Sequence, residues 1–396
     1  MIERVDVAII NRSFGPQGQV VGEALLRLSE HISKKNTVCV ITQSDGNLKN
    51  FLKREGRAHA VQVLDRVSRT DSSSGLIIRV YEAFIFMWWT FFFLFWKRPR
   101  RVYVSTNPPV LVPFIVFLYC KILGARYVYH LQDIHPEAAN IVIKVHPLLY
   151  RFLHWVDVLV VRNAHAVVTL SDEMKNYILQ RSRTVLDVYI INNPAFSSEE
   201  FNVNKKREGV VFSGNAGRLQ LMPLLIESIH DYLNEGGRLS FTFVGGGFFS
   251  PELDKLGQKF ESFKYMGLVS AREASRVVSE HRWALLPIND EVTKYAFPSK
   301  TSSYVLSGCE ILAICHDETS VGRWVRRWAL GRVCVPSKER IISLFKELEG
   351  GGFEEKHCLS SVERRSELVN LLSMDRFVSR LAEIIALCDR VYDQTV

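Results

Sequence analysis

Cysteine is sparse and unpaired: none of the 7 cysteines among the 396 residues stands in a C-x-x-C pair. Cys39, Cys120, Cys309, Cys315, Cys334, Cys358 and Cys388 are scattered, several of them inside apolar runs. That pattern argues against a disulfide framework or a zinc module and fits buried, reduced thiols in a cytosolic protein. Long apolar runs are also missing. Residues 83–96 are interrupted only by Thr90, yet they fall short of the roughly 20 residues that span a bilayer. Met1-Ile-Glu-Arg-Val-Asp6 contains acids and no cleavage pattern follows, so no signal peptide is expected. No G-x-G-x-x-G follows the first apolar strand, and the second strand ends at Gln43 rather than an acid, which argues against a dinucleotide cofactor. Negative charge is in deficit: 50 Lys and Arg stand against 42 Asp and Glu, a net +8. A surplus of that sign suits nucleotide phosphates, anionic lipid or nucleic acid.

What is present is a globular composition, 47% hydrophobic and 23% charged, on a chain long enough for two domains. Val5-Asp-Val-Ala-Ile-Ile-Asn11 reads as a buried strand, Arg12-Ser-Phe-Gly-Pro-Gln-Gly18 as a glycine loop, 20–31 as an amphipathic helix and 38–42 as a second strand. Strand, loop, helix and strand open a Rossmann-like parallel sheet. Further strands are expected at 101–105, 126–131, 165–170 and 188–192, with helices at 110–123 and 148–164. The polar stretch 195–208 reads as a linker, after which the pattern restarts. A strand at 209–213 leads to the loop Gly214-Asn-Ala-Gly-Arg218 and a helix at 221–234, and a strand at 239–244 ends in Gly245-Gly-Gly247. The expected division is an N-terminal domain 1–194, a linker 195–208, a C-terminal domain 209–373 and a helix in 374–396 that crosses back to the first domain.

Three stretches carry chemistry. In Phe297-Pro-Ser-Lys-Thr-Ser-Ser-Tyr-Val-Leu-Ser-Gly308, the residue before proline is extended, Pro298 and Ser299 suit a helix start with the hydroxyl as cap, and Gly308 suits its end. Lys300 beside such a start makes an anion site, although an ordinary βα turn uses the same residues. Both glycine loops also follow strands, so all three segments can converge on phosphate, with Arg218 and Lys300 adding charge. Gln132-Asp-Ile-His-Pro-Glu137 follows the strand ending near His130 and gathers histidines and carboxylates at its carboxyl end. Acid–base work is open to it, no standard zinc spacing is present, and a capping Asp133 with a helix-start Pro136 accounts for the same residues. Finally, Trp88, Trp89 and Trp96 precede a basic run that begins with Lys97 and Arg98. This helix is expected to rest one face on its domain and dip the other into a membrane; a fully buried helix and a true span are the alternatives.

Together with Ser105-Thr-Asn-Pro-Pro109 and Phe243-Val-Gly-Gly-Gly247, these stretches resemble the GT-B glycosyltransferases. The likeness is to family-four retaining enzymes of bacterial O-antigen and capsule synthesis that transfer N-acetylated amino sugars of the N-acetylfucosamine kind. The resemblance implies an α/β, GT-B fold of two Rossmann-like domains facing across a cleft. It implies a nucleotide-sugar donor, expected to be UDP-linked, on the C-terminal domain and a polyprenyl-diphosphate-linked glycan acceptor on the N-terminal one. No metal, cofactor or nucleic acid is expected. The place implied is the cytoplasm, at the inner face of the inner membrane. Matched position by position, Gly214, Asn215, Gly217 and Arg218 would cradle the pyrophosphate with Lys300, and Gly245, Gly246 and Gly247 would lie under the nucleoside. Gly15 and Gly18 fall in the first glycine loop, near donor and acceptor. His130 and Asp133 would orient groups in the cleft, with Glu137 in the same loop. The sequence departs from the pattern where relatives carry a pair of glutamates: Tyr295 and Ser303 stand there. Ser299, Ser302 or Ser303 would serve the donor instead, and Asp290 or Glu291 would reach the sugar. Leu221 and Met222 replace the usual lysine after Arg218.

Two other functions use the same residues. A nucleotide-sugar epimerase would draw on Asp133, Glu137 and Glu291. A non-catalytic, membrane-docked partner with a degenerate site would explain Tyr295 and Ser303.

Overall fold

Val7–Ile10 and Val38–Ser44 are short, rich in β-branched residues and buried along their whole length, as parallel strands covered on both faces must be. The computed structural model describes residues 4–15, 19–68, 76–196, 207–351 and 359–388. These fall into two compact units, one of Met1–Asn193 with Met374–Val396 and one of Pro194–Ser373.

In the first unit the elements follow as β1 (Val7–Ile10), α1 (Gln19–Ser33), β2 (Val38–Ser44), α2 (Leu48–Arg54), β3 (Val61–Val67), α3 (Leu76–Lys97), β4 (Arg101–Ser105), α4 (Leu111–Leu123), β5 (Arg126–His130), α5 (Glu137–Val142), α6 (Pro147–Asn163), β6 (Ala166–Thr169), α7 (Asp172–Ser182) and β7 (Val188–Ile190). The sheet is parallel, in the order β3-β2-β1-β4-β5-β6-β7. The strand order runs one way from β1 to β3 and the other way from β3 through β7. Right-handed crossovers therefore put α1 and α2 on one face and α3, α4, α6 and α7 on the other.

The second unit runs β8 (Arg207–Ser213), α8 (Met222–Asn234), β9 (Ser240–Val244), α9 (Ser250–Lys259), β10 (Phe263–Tyr265), α10 (Ala271–Ser279), β11 (His281–Pro287), α11 (Lys300–Leu306), β12 (Glu310–Ile314), α12 (Ser320–Arg327), β13 (Gly331–Cys334), α13 (Lys338–Glu349) and α14 (Leu359–Leu371). Its sheet is also parallel, ordered β10-β9-β8-β11-β12-β13. The core gathers Phe212, Phe241, Phe243, Tyr232 and Phe345 between the strands, α8 and α13. Most of the expected linker lies outside the described residues.

The chain then returns to the first unit. α15 (Met374–Leu387) places Phe377, Leu381, Ile384 and Ile385 on one face at helical spacing, and all four are buried in the core that α1 also lines. Arg126 Nη1 donates to the Cys388 carbonyl at 2.8 Å, holding one of the acceptors that a helix end leaves open.

Candidate functional site

The carboxyl ends of β8, β9 and β11 assemble the phosphate-binding candidates within the second unit. Gly214 N–H donates to Val244 O at 2.8 Å, and Ala216 N–H donates to Gly246 O at 2.9 Å, so the two glycine loops are stitched to each other by their backbones. Glycine is required at this seam. A Cβ on Gly245 (φ +125°) would stand 2.1 Å from Gly214 O, closer than any real contact, in a backbone region that side chains avoid. Gly217 N–H donates to Gln220 Oε1 at 3.2 Å, which closes the loop onto the 3-10 turn Arg218–Gln220. Asn215 is exposed beside Gly217. Arg218 opens that turn; its side chain lies outside the described residues.

Lys300 is the first residue of α11 and reaches back over the first loop. A methyl group placed on Gly214 would lie 3.2 Å from Lys300 Cε. Lys300 Nζ sits 4.0 Å above the Phe212 ring, is itself buried, and makes no hydrogen bond. Burial without an anionic partner pushes its pKa down from 10.5 to about 7. A ring face supplies only partial compensation for a buried ammonium. The residue is thus held where an incoming anion would complete it.

α11 is positioned by a residue that the sequence did not single out. Tyr304 is fully buried; its hydroxyl accepts from Ser213 N–H at 3.0 Å and donates to Ser213 O at 3.4 Å. It ties the helix to the end of β8, where the first glycine loop begins. The signal was an aromatic one turn after Lys300, in a run otherwise of small residues.

Other expectations about this unit change. Ser299 occupies the N-cap position of α11, but its side chain makes no capping bond because its backbone is already helical (φ −61°, ψ −24°). Ser302 is buried and Ser303 half-buried. Asp290 is engaged elsewhere: it accepts from the His316 N–H at 3.1 Å and also bonds the His316 ring. Glu291 is exposed at the start of a 3-10 turn. Met222, one of the two residues in place of the usual lysine, is wholly buried, and Leu221 takes a left-handed φ of +48°.

In the first unit, Gly15 (φ +69°) donates its N–H to Gly22 O at 2.9 Å, drawing the loop against the start of α1. Gly18 lies outside the described residues. Asp133 is exposed beyond the end of β5. His130 does not face a loop. It is fully buried, its Nδ1 lies 2.7 Å from the Tyr103 hydroxyl, and its ring packs by Phe377. Burial pushes its pKa down to about 3, so the imidazole is neutral at working pH and cannot serve there as a proton donor. Glu137 is turned inward as well. It accepts both oxygens' bonds from Arg181 Nη1 at 3.0 Å and a third from Tyr177 OH at 3.0 Å. Arg181 Nη2 pairs with buried Asp157, which also accepts from Tyr129 OH at 2.7 Å. A carboxylate so committed is a structural anchor of the 132–137 loop.

Of the aromatic helix residues, Trp88 and Trp96 are exposed, Lys97 is half-buried and Arg98 is exposed. Trp89 departs from the expectation: its Nε1 donates to Leu64 O at 3.4 Å and its ring packs on Phe93. It sits about 100° around the helix from Trp88, which turns it onto the domain.

No protein-family model matches the sequence, and no curated protein matches it. Solved structures match over nearly its full length. Anabaena Alr3699/HepE in complex with UDP is similar with a TM-score of 0.65 at 13% identity, over 96% of this chain and 99% of that one. Sucrose-phosphate synthase (tll1590) from Thermosynechococcus elongatus gives 0.71 at 11% identity, over 99% and 100%. WaaG, a glycosyltransferase involved in lipopolysaccharide biosynthesis, gives 0.65 at 13% identity, over 96% and 99%. Identities this low carry the fold alone, and with two parallel α/β units in sequence the fold is GT-B.

Proposed function

We propose that the protein is a retaining glycosyltransferase. It moves a sugar, an N-acetylated amino or deoxy sugar, from a nucleotide donor to a lipid-linked saccharide in the synthesis of O-antigen, capsule or exopolysaccharide. The observation that carries this is Lys300 Nζ, a buried and unpartnered amine above a seam of two glycine loops. A buried amine beside glycine-loop backbone supports a phosphate-binding reading. The solved structures lend support: HepE was crystallised with UDP and with UDP-glucose, and WaaG takes part in lipopolysaccharide biosynthesis.

In this account the donor's diphosphate lies on Gly214, Asn215 and Gly217, with the nucleoside over Gly245 to Gly247. Lys300 and Arg218 meet the negative charge that develops on the leaving diphosphate, a task that protein cations can perform without a metal ion. Removing one such donor typically costs about 3 kcal/mol of barrier. The acceptor hydroxyl attacks from the face that the diphosphate leaves, and the diphosphate oxygen takes its proton. Asp133 orients the acceptor. Trp88 and Trp96, with Lys97 and Arg98, hold the enzyme at the cytoplasmic face of the inner membrane, where a polyprenyl-diphosphate-linked acceptor resides.

The test is to incubate the protein with a panel of nucleotide sugars, with and without bacterial membranes, and to read the lipid-linked product by mass. A mass gain of one sugar, with free nucleoside diphosphate released only when membranes are present, is expected. Epimerised donor without acceptor, or no nucleotide binding at all, overturns the reading.

A further inference from the structure

We infer that the lipid contact extends beyond α3, across α4 to α6, and that its partner is an anionic bilayer surface. This rests on the membrane placement proposed above and adds a second helix to it.

α6 exposes Leu148 (69%), Leu149 (50%), Phe152 (57%) and Trp155 (59%). Positions 148, 152 and 155 share one helix face, with 149 on its flank. The opposite face is the one the domain buries, through Val156, Val160 and Val161. α6 is therefore apolar on its outer side, while its inner side sets valines around the paired Asp157, and only the inner side has a partner among the described residues. α4 packs against both α3 and α6, so the three lie in one layer on one face of the sheet. The outward residues of α4 between them, Phe114, Ile115 and Leu118, are half-exposed, and Ile122 is exposed. On α3 the outward side chains include Trp88, Phe92 and Trp96. The layer presents aromatic and aliphatic side chains from one helix to the next.

Charge decides what covers it. From Lys97 to Val156 the sequence holds 8 Lys and Arg and 2 acids, Asp133 and Glu137. Glu137 is buried against Arg181, so it does not offset the surface. Arg98, Arg100, Lys121, Lys144 and Arg151 are exposed around the apolar layer. A second copy docking on this face by two-fold symmetry would set cation against cation, which costs rather than stabilises. An anionic headgroup layer meets the cations, while the tryptophans take their favoured depth at the interface. No helix among the described residues is long and apolar enough to cross a membrane, so the contact is one of lying on the bilayer.

The experiment is sedimentation of the full chain with vesicles of phosphatidylcholine alone and of phosphatidylcholine with phosphatidylglycerol. Three proteins are compared: the parent, Leu148→Ser/Phe152→Ser/Trp155→Ser, and Lys144→Glu/Arg151→Glu. Circular dichroism melting checks each fold, and UDP binding is measured on the same samples. The parent is expected to bind the anionic vesicles. The triple variant should lose tenfold or more in partitioning, and the charge variant should lose its preference for anionic vesicles. Parent-like partitioning of the triple variant removes α6 from the contact. Concentration-dependent dimerisation without lipid, lost in the triple variant, makes a second copy the occupant and overturns the proposal. UDP binding separates the two ideas, since vesicle binding without any nucleotide binding would sink the transferase reading and leave this one standing.

Discussion

Lys300 Nζ stands 4.0 Å from the centre of the Phe212 ring, buried and without a hydrogen bond. If the proposed site is right, a cation held against a ring face, with no other partner among the described residues, should make nucleotide binding pH-dependent. Burial has brought the lysine down to about 7, so above that pH the unliganded site is increasingly neutral. A bound diphosphate raises the pKa again, and binding then takes up a proton. Affinity for UDP should fall by up to about tenfold per pH unit above 7, where the terminal phosphate, with a pKa near 6, is already ionised. Titration calorimetry in buffers of different ionisation heat reads both the slope and the proton uptake. Lys300→Met should bind at least tenfold more weakly and show no slope.

The same amine sets a stability cost on the fold. The folded pKa of about 7 lies below the ordinary 10.5, so between these values the unfolded chain binds more protons than the folded one. Stability should therefore rise with pH across that window. Lys300→Met removes the buried amine, keeps most of the volume, and should raise the melting temperature at pH 7 by a few degrees, on the order of 1 kcal/mol. The gain should shrink toward pH 10. At the same concentration, UDP should raise the melting point of the parent by more than that of the variant. Equal melting curves for parent and variant at both pH values would show that the amine is not desolvated.

The loop seam can be tested one atom at a time. Gly245→Ala puts a methyl 2.1 Å from Gly214 O at a φ of +125°. Backbone strain of this kind costs about 1–3 kcal/mol, and it would spread both loops. UDP binding should be lost along with the stability. Gly246→Ala is the control, because its added methyl meets nothing closer than Leu268 at 3.9 Å. It should melt as the parent does, so that any loss of UDP binding in it reads the surface the nucleoside is proposed to cover rather than the fold.

The sequence disclosed what is local. β1, β2 and both glycine loops are contiguous segments whose spacing announces them, and Lys300 stands in such a segment. What it hid is set by which side of an element faces inward. His130 ends a strand at the edge of a polar loop, and only the approach of Tyr103 and Phe377 shows it to be core. Trp88 and Trp89 look alike in a run of aromatics, yet a turn of about 100° puts one outside and the other on Leu64 O. β3 carries no clear strand signal because Gln62, Asp65 and Arg66 break its apolar pattern, although Val61↔Val38 and its successors pair in regular register. The outer stripe of α6 was hidden for the opposite reason: with apolar residues on both faces, periodicity gives no clue to which is buried.

Arg181 joins two carboxylates from separate elements, Glu137 and Asp157. All three side chains are at most 3% exposed. Without Arg181, Glu137 loses two of its bonds, and two acids are left facing each other in the interior. Breaking a buried pair by removing one partner costs about 3–5 kcal/mol. Arg181→Met should therefore lower the denaturation midpoint of the first unit substantially. The second unit contains the whole proposed nucleotide site, so UDP affinity should hold at temperatures where the variant is still folded. Turnover with a lipid-linked acceptor should drop, since the anchored 132–137 loop carries Asp133. Adding Glu137→Gln to Arg181→Met should recover part of the stability by removing one orphaned charge, and the denaturant midpoints of the single and double variants read that recovery directly. If the double variant is no more stable than the single, charge burial is not what Arg181 answers.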